Sequence, residues 1–178
     1  ALSIAMGIAE QLNALEHCHL DLVPQHVLLS YDGRVHLIDP APSTGRGDAP
    51  GREGYRPPEQ IEGGTLDHAA DIFGLGILLF EMTCGRRLFD VHEADIERRI
   101  LTAQIPRPRD LLGDGYHIEL QLVLRKLLRA SKAGRFGSAQ AAKDALRLVA
   151  TTRADVGAGP LAAWMRKEHA ARYQAWCS

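Results

Sequence analysis

Apolar residues fall on every face of a 3.6-residue period from Asp71 to Cys84 (Asp-Ile-Phe-Gly-Leu-Gly-Ile-Leu-Leu-Phe-Glu-Met-Thr-Cys), which predicts a helix wrapped on all sides by protein. The run is shorter than the roughly 20 residues that a bilayer needs, and Asp71 and Glu81 sit near its ends. Acidic Asp67 and Asp71 mark its start, and Gly85 with Arg86 and Arg87 marks its end. From this stretch alone, Asp71 reads either as a cap or as an anchor for the backbone of another segment.

Around that centre the pattern is mostly helical. Leu2, Ala5, Ile8, Ala9, Leu12 and Leu15 recur at three- and four-residue spacing, predicting an amphipathic helix over about residues 2 to 16. A polar loop, His19 to His26, follows, and Pro24 is expected to keep it from being helical. Val27-Leu-Leu29, the turn Tyr31-Asp-Gly33 and Val35-His-Leu-Ile38 predict a short hairpin whose arms bring Asp21, His26 and Asp39 towards one end. Residues 40 to 54 are almost all loop formers and read as a mobile surface segment. Pro57 and Pro58 open a short helix carrying Glu59.

Helical periodicity then returns at Ile96 and Ile100, from Ile118 to Leu128, and from Ala142 to Val149, with Arg107 and Arg109 beside prolines in a solvated loop. A Gly/Ala/Pro spacer at 157 to 160 leads to a last helix carrying Trp164, Met165, Tyr173 and Trp176. The fold expected is mainly α: a helical array around a buried central helix, with a small β-hairpin beside a polar loop.

Composition narrows the class. The 178 residues, 46% of them hydrophobic, supply one good-sized core, divided here into 1–150 and a spacer with a C-terminal helix at 151–178. A net charge of −1 with no long basic run speaks against nucleic acid and against an anionic membrane surface as partners. Cys18, Cys84 and Cys177 are scattered and odd in number, which favours a reducing, cytoplasmic setting. His17, Cys18, His19 and His26 offer metal-binding atoms, yet their spacing is not that of a structural zinc site.

Three stretches, in order, carry a resemblance. His19-Leu-Asp-Leu-Val-Pro-Gln-His-Val-Leu-Leu-Ser30 resembles the catalytic-loop pattern His-Arg-Asp-Leu-Lys-Pro-x-Asn of the protein kinases; Leu37-Ile-Asp-Pro-Ala41 resembles the segment holding Asp-Phe-Gly; and Gly54-Tyr-Arg-Pro-Pro-Glu-Gln60 resembles Gly-Tyr-x-Ala-Pro-Glu-Gln. Asp67-His-Ala-Ala-Asp-Ile-Phe-Gly-Leu-Gly76 is similar to the stretch that follows in bacterial Ser/Thr kinases. The match is to the C-terminal lobe, over about residues 1 to 150.

The resemblance implies Asp21 at the attacking hydroxyl, Asp39 on a metal ion, and His26 at the second metal and cofactor position, with ATP and Mg²⁺ as cofactors and a protein substrate or regulatory protein as partner. It also implies structural roles for His19, for a Glu59–Arg135 pair, and for Asp71 as the anchor of the catalytic loop. Four polar positions depart from the pattern: the loop lysine is Val23, the loop arginine is Leu20, the metal-binding asparagine is His26, and a threonine is Arg52. Imidazole is a poor oxygen-ligand replacement for Mg²⁺, Val23 removes a cation, and Arg52 is placed to pair with Asp21 and block it. Leu20 leaves Ser43 and Thr44 no cationic receiver, and Pro40 should bias Asp39 towards extended backbone. No glycine-rich phosphate loop or Val-Ala-Ile-Lys strand precedes residue 19, so the chain reads as a piece beginning mid-domain. The expected function is a pseudokinase or regulatory binding module, with an atypical but active Ser/Thr kinase as the alternative.

Overall fold

Residues 70–80 are buried without interruption inside the helix His68–Cys84, here α3, and the other elements are laid around it. The computed structural model describes residues 1–41, 52–151 and 156–177, with side chains through 174. Asp67 caps α3 by accepting from the Ala69 amide at 2.8 Å, and Gly85 closes it in the left-handed conformation (φ 66°). Phe73, Leu75, Ile77, Leu79 and Phe80 are fully buried, each worth about 1.5–3 kcal/mol of transfer free energy. Gly76 lets Leu127 and Leu128 approach: a Cβ there would stand 2.8 Å from the Leu128 side chain.

The remaining described helices are α1 Leu2–Ala14, α2 Pro58–Ile61, α4 Ile96–Leu101, α5 Pro108–Leu112, α6 Ile118–Leu127, α7 Ala139–Ala150, α8 Ala158–Glu168 and α9 Ala170–Cys177. Strands β1 Val27–Leu29 and β2 Val35–Leu37 form the antiparallel hairpin, with Val27 opposite Leu37 and Leu29 opposite Val35. Helix α1 buries Leu2, Ala5, Ile8, Ala9 and Leu12 against α3, α7 and β2. The architecture is mainly α with one small hairpin, as the periodicity indicates.

Several local expectations are corrected. Helix α1 stops at Ala14 because Leu15 turns extended (ψ 136°), leaving that leucine 37% exposed instead of on the buried face. Pro24 does not exclude helix: it opens a 3₁₀ turn, Pro24–His26, at the position where a missing amide costs nothing. Arg107 and Arg109 are not loop neighbours alone, since buried Pro108 starts α5 and the Arg109 amide donates to Gln121 Oε1 at 3.2 Å. The supposed spacer is largely the first turn of α8, and the single last helix is two, broken at His169. The expected mobile segment lies mostly in residues 42–51, and the Trp176 side chain also falls outside the described residues.

The tail docks on the hairpin turn. Leu161, Ala162 and Met165 are buried, the Gly157 amide donates to Ser3 Oγ at 2.9 Å, and Arg166 Nε donates to the Tyr31 carbonyl at 3.2 Å. Gly33, at φ 81°, lies so close to the Ala158 carbonyl oxygen that any Cβ would overlap it. Gly63 has a similar φ of 70° with nothing within 4 Å of its would-be Cβ. Gly33→Ala should therefore lower stability by more than the about 1–2 kcal/mol of left-handed strain that Gly63→Ala carries alone. Thermal unfolding of the two variants measures the tail contact as their difference; equal losses would mean the contact contributes nothing.

Candidate active site

The loop from His19 to His26 is held by α3. Asp71, 3% exposed, accepts the His19 amide on Oδ2 at 2.8 Å and the Leu20 amide on Oδ1 at 2.7 Å, so its carboxylate fixes two consecutive peptide units of another segment. Desolvation by burial raises its pKa, against the lowering effect of those two amides. Leu20 is left-handed (φ 59°), a conformation that costs a leucine about 1–3 kcal/mol and persists only where its surroundings impose it. The bond to Asp71 is the visible constraint.

His19 is 1% exposed and its Nε2–H donates to the Ile38 carbonyl at 3.0 Å, while Nδ1 accepts from the Asp21 amide at 3.4 Å. Burial lowers its pKa, which suits this neutral, one-donor, one-acceptor ring. The segment after β2 is tied to the same loop by Ile38 N–H to the His26 carbonyl (3.1 Å) and Ala41 N–H to the His19 carbonyl (2.8 Å). Between those two bonds Asp39 is left-handed (φ 53°), not extended as Pro40 alone suggests. Proline disfavours right-handed helix at the residue before it, and an aspartate tolerates the left-handed well when bonds on both sides require the turn.

Asp21 is the centre of charge. Its side chain, 10% exposed, forms an ion pair with Arg52 and lies 3.5 Å from His26 Nδ1. His26 Nδ1–H donates to the Asp21 carbonyl at 2.9 Å, which leaves Nε2 facing Arg52 NH2 at 3.4 Å. Val23 is 3% exposed and belongs to the buried apolar cluster, so this position brings no cation to Asp21. Beside Asp21 a small hollow of about 20 Å³, space for about one water, is bordered by Val23, Arg52, Tyr55, Arg56 and Gln60. Asp39 is exposed and makes no hydrogen bond or ion pair with Asp21 or His26 among the described residues.

Glu59 and Arg135 form a bidentate pair, 2.8 Å on each arm, with both residues buried. Arg135 also donates to the carbonyls of Ala69 (2.7 Å), Arg129 (2.7 Å) and Ala130 (2.9 Å) and lies 4.8 Å above the Phe73 ring. The pair joins α2 to the start of α3. A second anchor escaped the sequence reading: Tyr55 Oη donates to Glu81 Oε2 at 2.7 Å, and the Leu88 amide donates to Glu81 Oε1 at 3.3 Å. Its signal is a second acidic residue, Glu81, near the end of the apolar run. Burial and the neighbouring Glu81 push the Tyr55 hydroxyl pKa well up, so it stays a donor.

A loop bearing Asp21 and hung by its backbone from a buried helix, an aspartate after a hairpin, and a Pro-Glu helix clamped by a late arginine stand here in one frame, and a match to the protein kinase domain family spans residues 3–146. The chain belongs to the protein kinase family. Among its relatives, tyrosine-protein kinase MasK of Myxococcus xanthus is 30% identical over 158 residues, 83% of this chain and 24% of that protein. Aurora kinase B of Xenopus tropicalis is 33% identical over 133 residues, 68% of this chain and 37% of its own length. Serine/threonine-protein kinase AtPK1/AtPK6 of Arabidopsis thaliana is 31% identical over 142 residues, 73% of this chain and 30% of that protein. The chain thus spans about a quarter to two-fifths of the length of these kinases, and it has the helical character of the kinase C-terminal lobe.

Kinases of this family use ATP with Mg²⁺. The residues present here do not fit the two-ion arrangement: Asp39 offers one carboxylate, His26 turns its free ring nitrogen to a guanidinium, and Mg²⁺ demands oxygen ligands in near-octahedral geometry. Among the described residues no helix is long and apolar enough to cross a membrane.

Proposed function

We propose that this chain is the C-terminal lobe of a kinase-like domain that works as a pseudokinase or regulatory binding module, engaging another protein in the cytoplasm. The observation that carries the reading is the Arg52 guanidinium on Asp21 and against His26 Nε2. In the family's chemistry the aspartate orients the attacking hydroxyl and must be open to it. Here a cation fills that direction, the phosphate-steadying lysine is an apolar core residue, and the second metal ligand is an imidazole.

The second reading is an atypical but active kinase once an N-terminal lobe is present, transferring the ATP γ-phosphoryl group to protein hydroxyls. Retained Asp21 and Asp39, and the intact Glu59–Arg135 and Asp71 anchors, favour it. The relatives' names include both a tyrosine and a serine/threonine kinase, so on this reading the hydroxyl class is taken from the bacterial Ser/Thr-like motif spelling.

Thermal unfolding of the protein with both lobes, in ATP with Mg²⁺ or Mn²⁺ and beside Asp39→Asn, separates the two. A ligand that binds only the native state raises the melting temperature. The first reading expects no metal-dependent shift and no phosphate transfer. A shift lost in Asp39→Asn, together with transfer that needs Asp21, would establish the second.

A further inference from the structure

The histidines and the cysteine of the loop that Asp71 holds turn their side chains in different directions. His19 and His26 spend their ring nitrogens on backbone groups and on Arg52. Cys18 turns the other way, towards α3, where its Sγ, a His68 ring nitrogen and an Asp71 carboxylate oxygen all lie within 4.8 Å of one another. We propose that Cys18, His68 and Asp71 form a binding site for a borderline-soft divalent cation, with Zn²⁺ the best match. The inference uses these side chains only and does not depend on whether the kinase site is active.

The donor set decides the class of ion. Thiolate, imidazole and carboxylate together are the ligands that Zn²⁺ accepts in tetrahedral sites, whereas Mg²⁺ and Ca²⁺ take oxygen alone. Bonds of about 2.0–2.3 Å put neighbouring donors roughly 3.5 Å apart, so closure asks for a shift of about 1 Å. His68, in the first turn of α3, is exposed and Cys18 partly so, which leaves their side chains solvent into which to turn. Asp71 has capacity left: a carboxylate offers about four lone-pair positions, and the His19 and Leu20 amides use two.

Two acidic residues, Asp67 at the N-cap and Asp71 in the first turn, stand at this end of α3. Lys132 is committed to Asp67 at 2.9 Å. A divalent ion would neutralise this corner, and on binding it the thiol gives its proton to solvent and ligates as thiolate. An entry path exists, since a cavity of about 530 Å³ bounded by His17, Cys18, Pro40, Leu66 and His68 reaches two of the three donors and leaves room for a water at a fourth position. Bound there, the ion would fasten the residue before His19 to the start of α3, reinforcing the bonds by which Asp71 holds the loop.

The test titrates the metal-stripped chain with Co²⁺ and then with Zn²⁺. Expected are one Co²⁺ per chain with a thiolate-to-metal charge-transfer band, displacement of that band by Zn²⁺, and a higher melting temperature with Zn²⁺. Cys18→Ser should abolish the band. His68→Ala, a change at an exposed side chain, should weaken binding by about tenfold or more, while His26→Asn should leave it intact. Absence of the band, its survival in Cys18→Ser, or undiminished affinity in His68→Ala would each overturn the site; the last two would show binding by other cysteines or by scattered histidines.

Discussion

Arg135→Ala is expected to remove about 3–5 kcal/mol of folding free energy. The side chain is 0% exposed and its partner Glu59 7%, so removing the guanidinium leaves a buried carboxylate with no opposite charge. Three carbonyls, those of Ala69, Arg129 and Ala130, lose their donor in the same step, each a further desolvation cost of about 1–3 kcal/mol if water does not reach it. Glu59→Ala should cost less, because Arg135 keeps those three acceptors. The double variant should cost less than the two losses added, the usual behaviour of groups in one network. Lys132→Ala supplies the contrast: its ion pair with Asp67 is partly exposed, and such pairs are worth about 0–1 kcal/mol. Urea unfolding of the four variants checks the order. With total stabilities of about 5–15 kcal/mol for a domain, an Arg135→Ala loss under that of Lys132→Ala would remove the pair from any account of what holds α2 to α3.

What the sequence makes legible here is what a single segment decides for itself. Helix α3 announces its burial because no face of it is polar, and Gly85 and Asp67 carry the chemistry of its two ends. The hairpin register follows from its short turn. The meeting of Arg52 with Asp21 could be anticipated only through the spacing of the kinase motifs, since 31 residues separate them. Features set by distant backbone were out of reach. Asp39 takes a left-handed turn because Ile38 and Ala41 are bonded to the catalytic loop, and the rule for residues preceding proline is blind to that. Glu81 looks like the end of an apolar helix until Tyr55 and Leu88 are placed on its two oxygens. The tail departs from its sequence pattern for a related reason: glycine and proline suggest a spacer, but Pro160 sits in the first turn of α8, where its missing amide has no partner to lose. Cys18 and His68, 50 positions apart in the chain, share a corner only because Asp71 draws the catalytic loop onto α3.

Fused behind the N-terminal lobe of a working kinase, the natural sequence should transfer phosphate at background, and the triple change Arg52→Thr, Val23→Lys, His26→Asn should raise the rate by at least about 10²-fold. That magnitude follows from what one preorganised group aimed at developing charge is worth, about 10²–10³ in kcat, and from the fact that groups acting as a unit do not contribute independently. Arg52→Thr alone should gain little. It frees the Asp21 carboxylate, but Val23 still leaves the transferred phosphoryl group without its nearby cation and His26 still presents an imidazole where an oxygen ligand belongs. The two remaining changes differ in difficulty. Asparagine at 26 keeps a donor for the Asp21 carbonyl that His26 Nδ1 now serves. Lysine at 23 must bring its chain out of a position that is 3% exposed and packed in the core, so the triple variant needs its melting temperature measured beside its rate. Two results would sink the pseudokinase reading: transfer by the natural sequence that disappears in Asp21→Asn, or an Arg52→Thr gain as large as that of the triple variant, which would make Arg52 a removable lock on a site otherwise ready for catalysis. A folded, nucleotide-binding triple variant that stays at background would instead show that the loss extends beyond these three side chains, and the exposed, left-handed Asp39 ahead of Pro40 is the next position the chemistry would implicate.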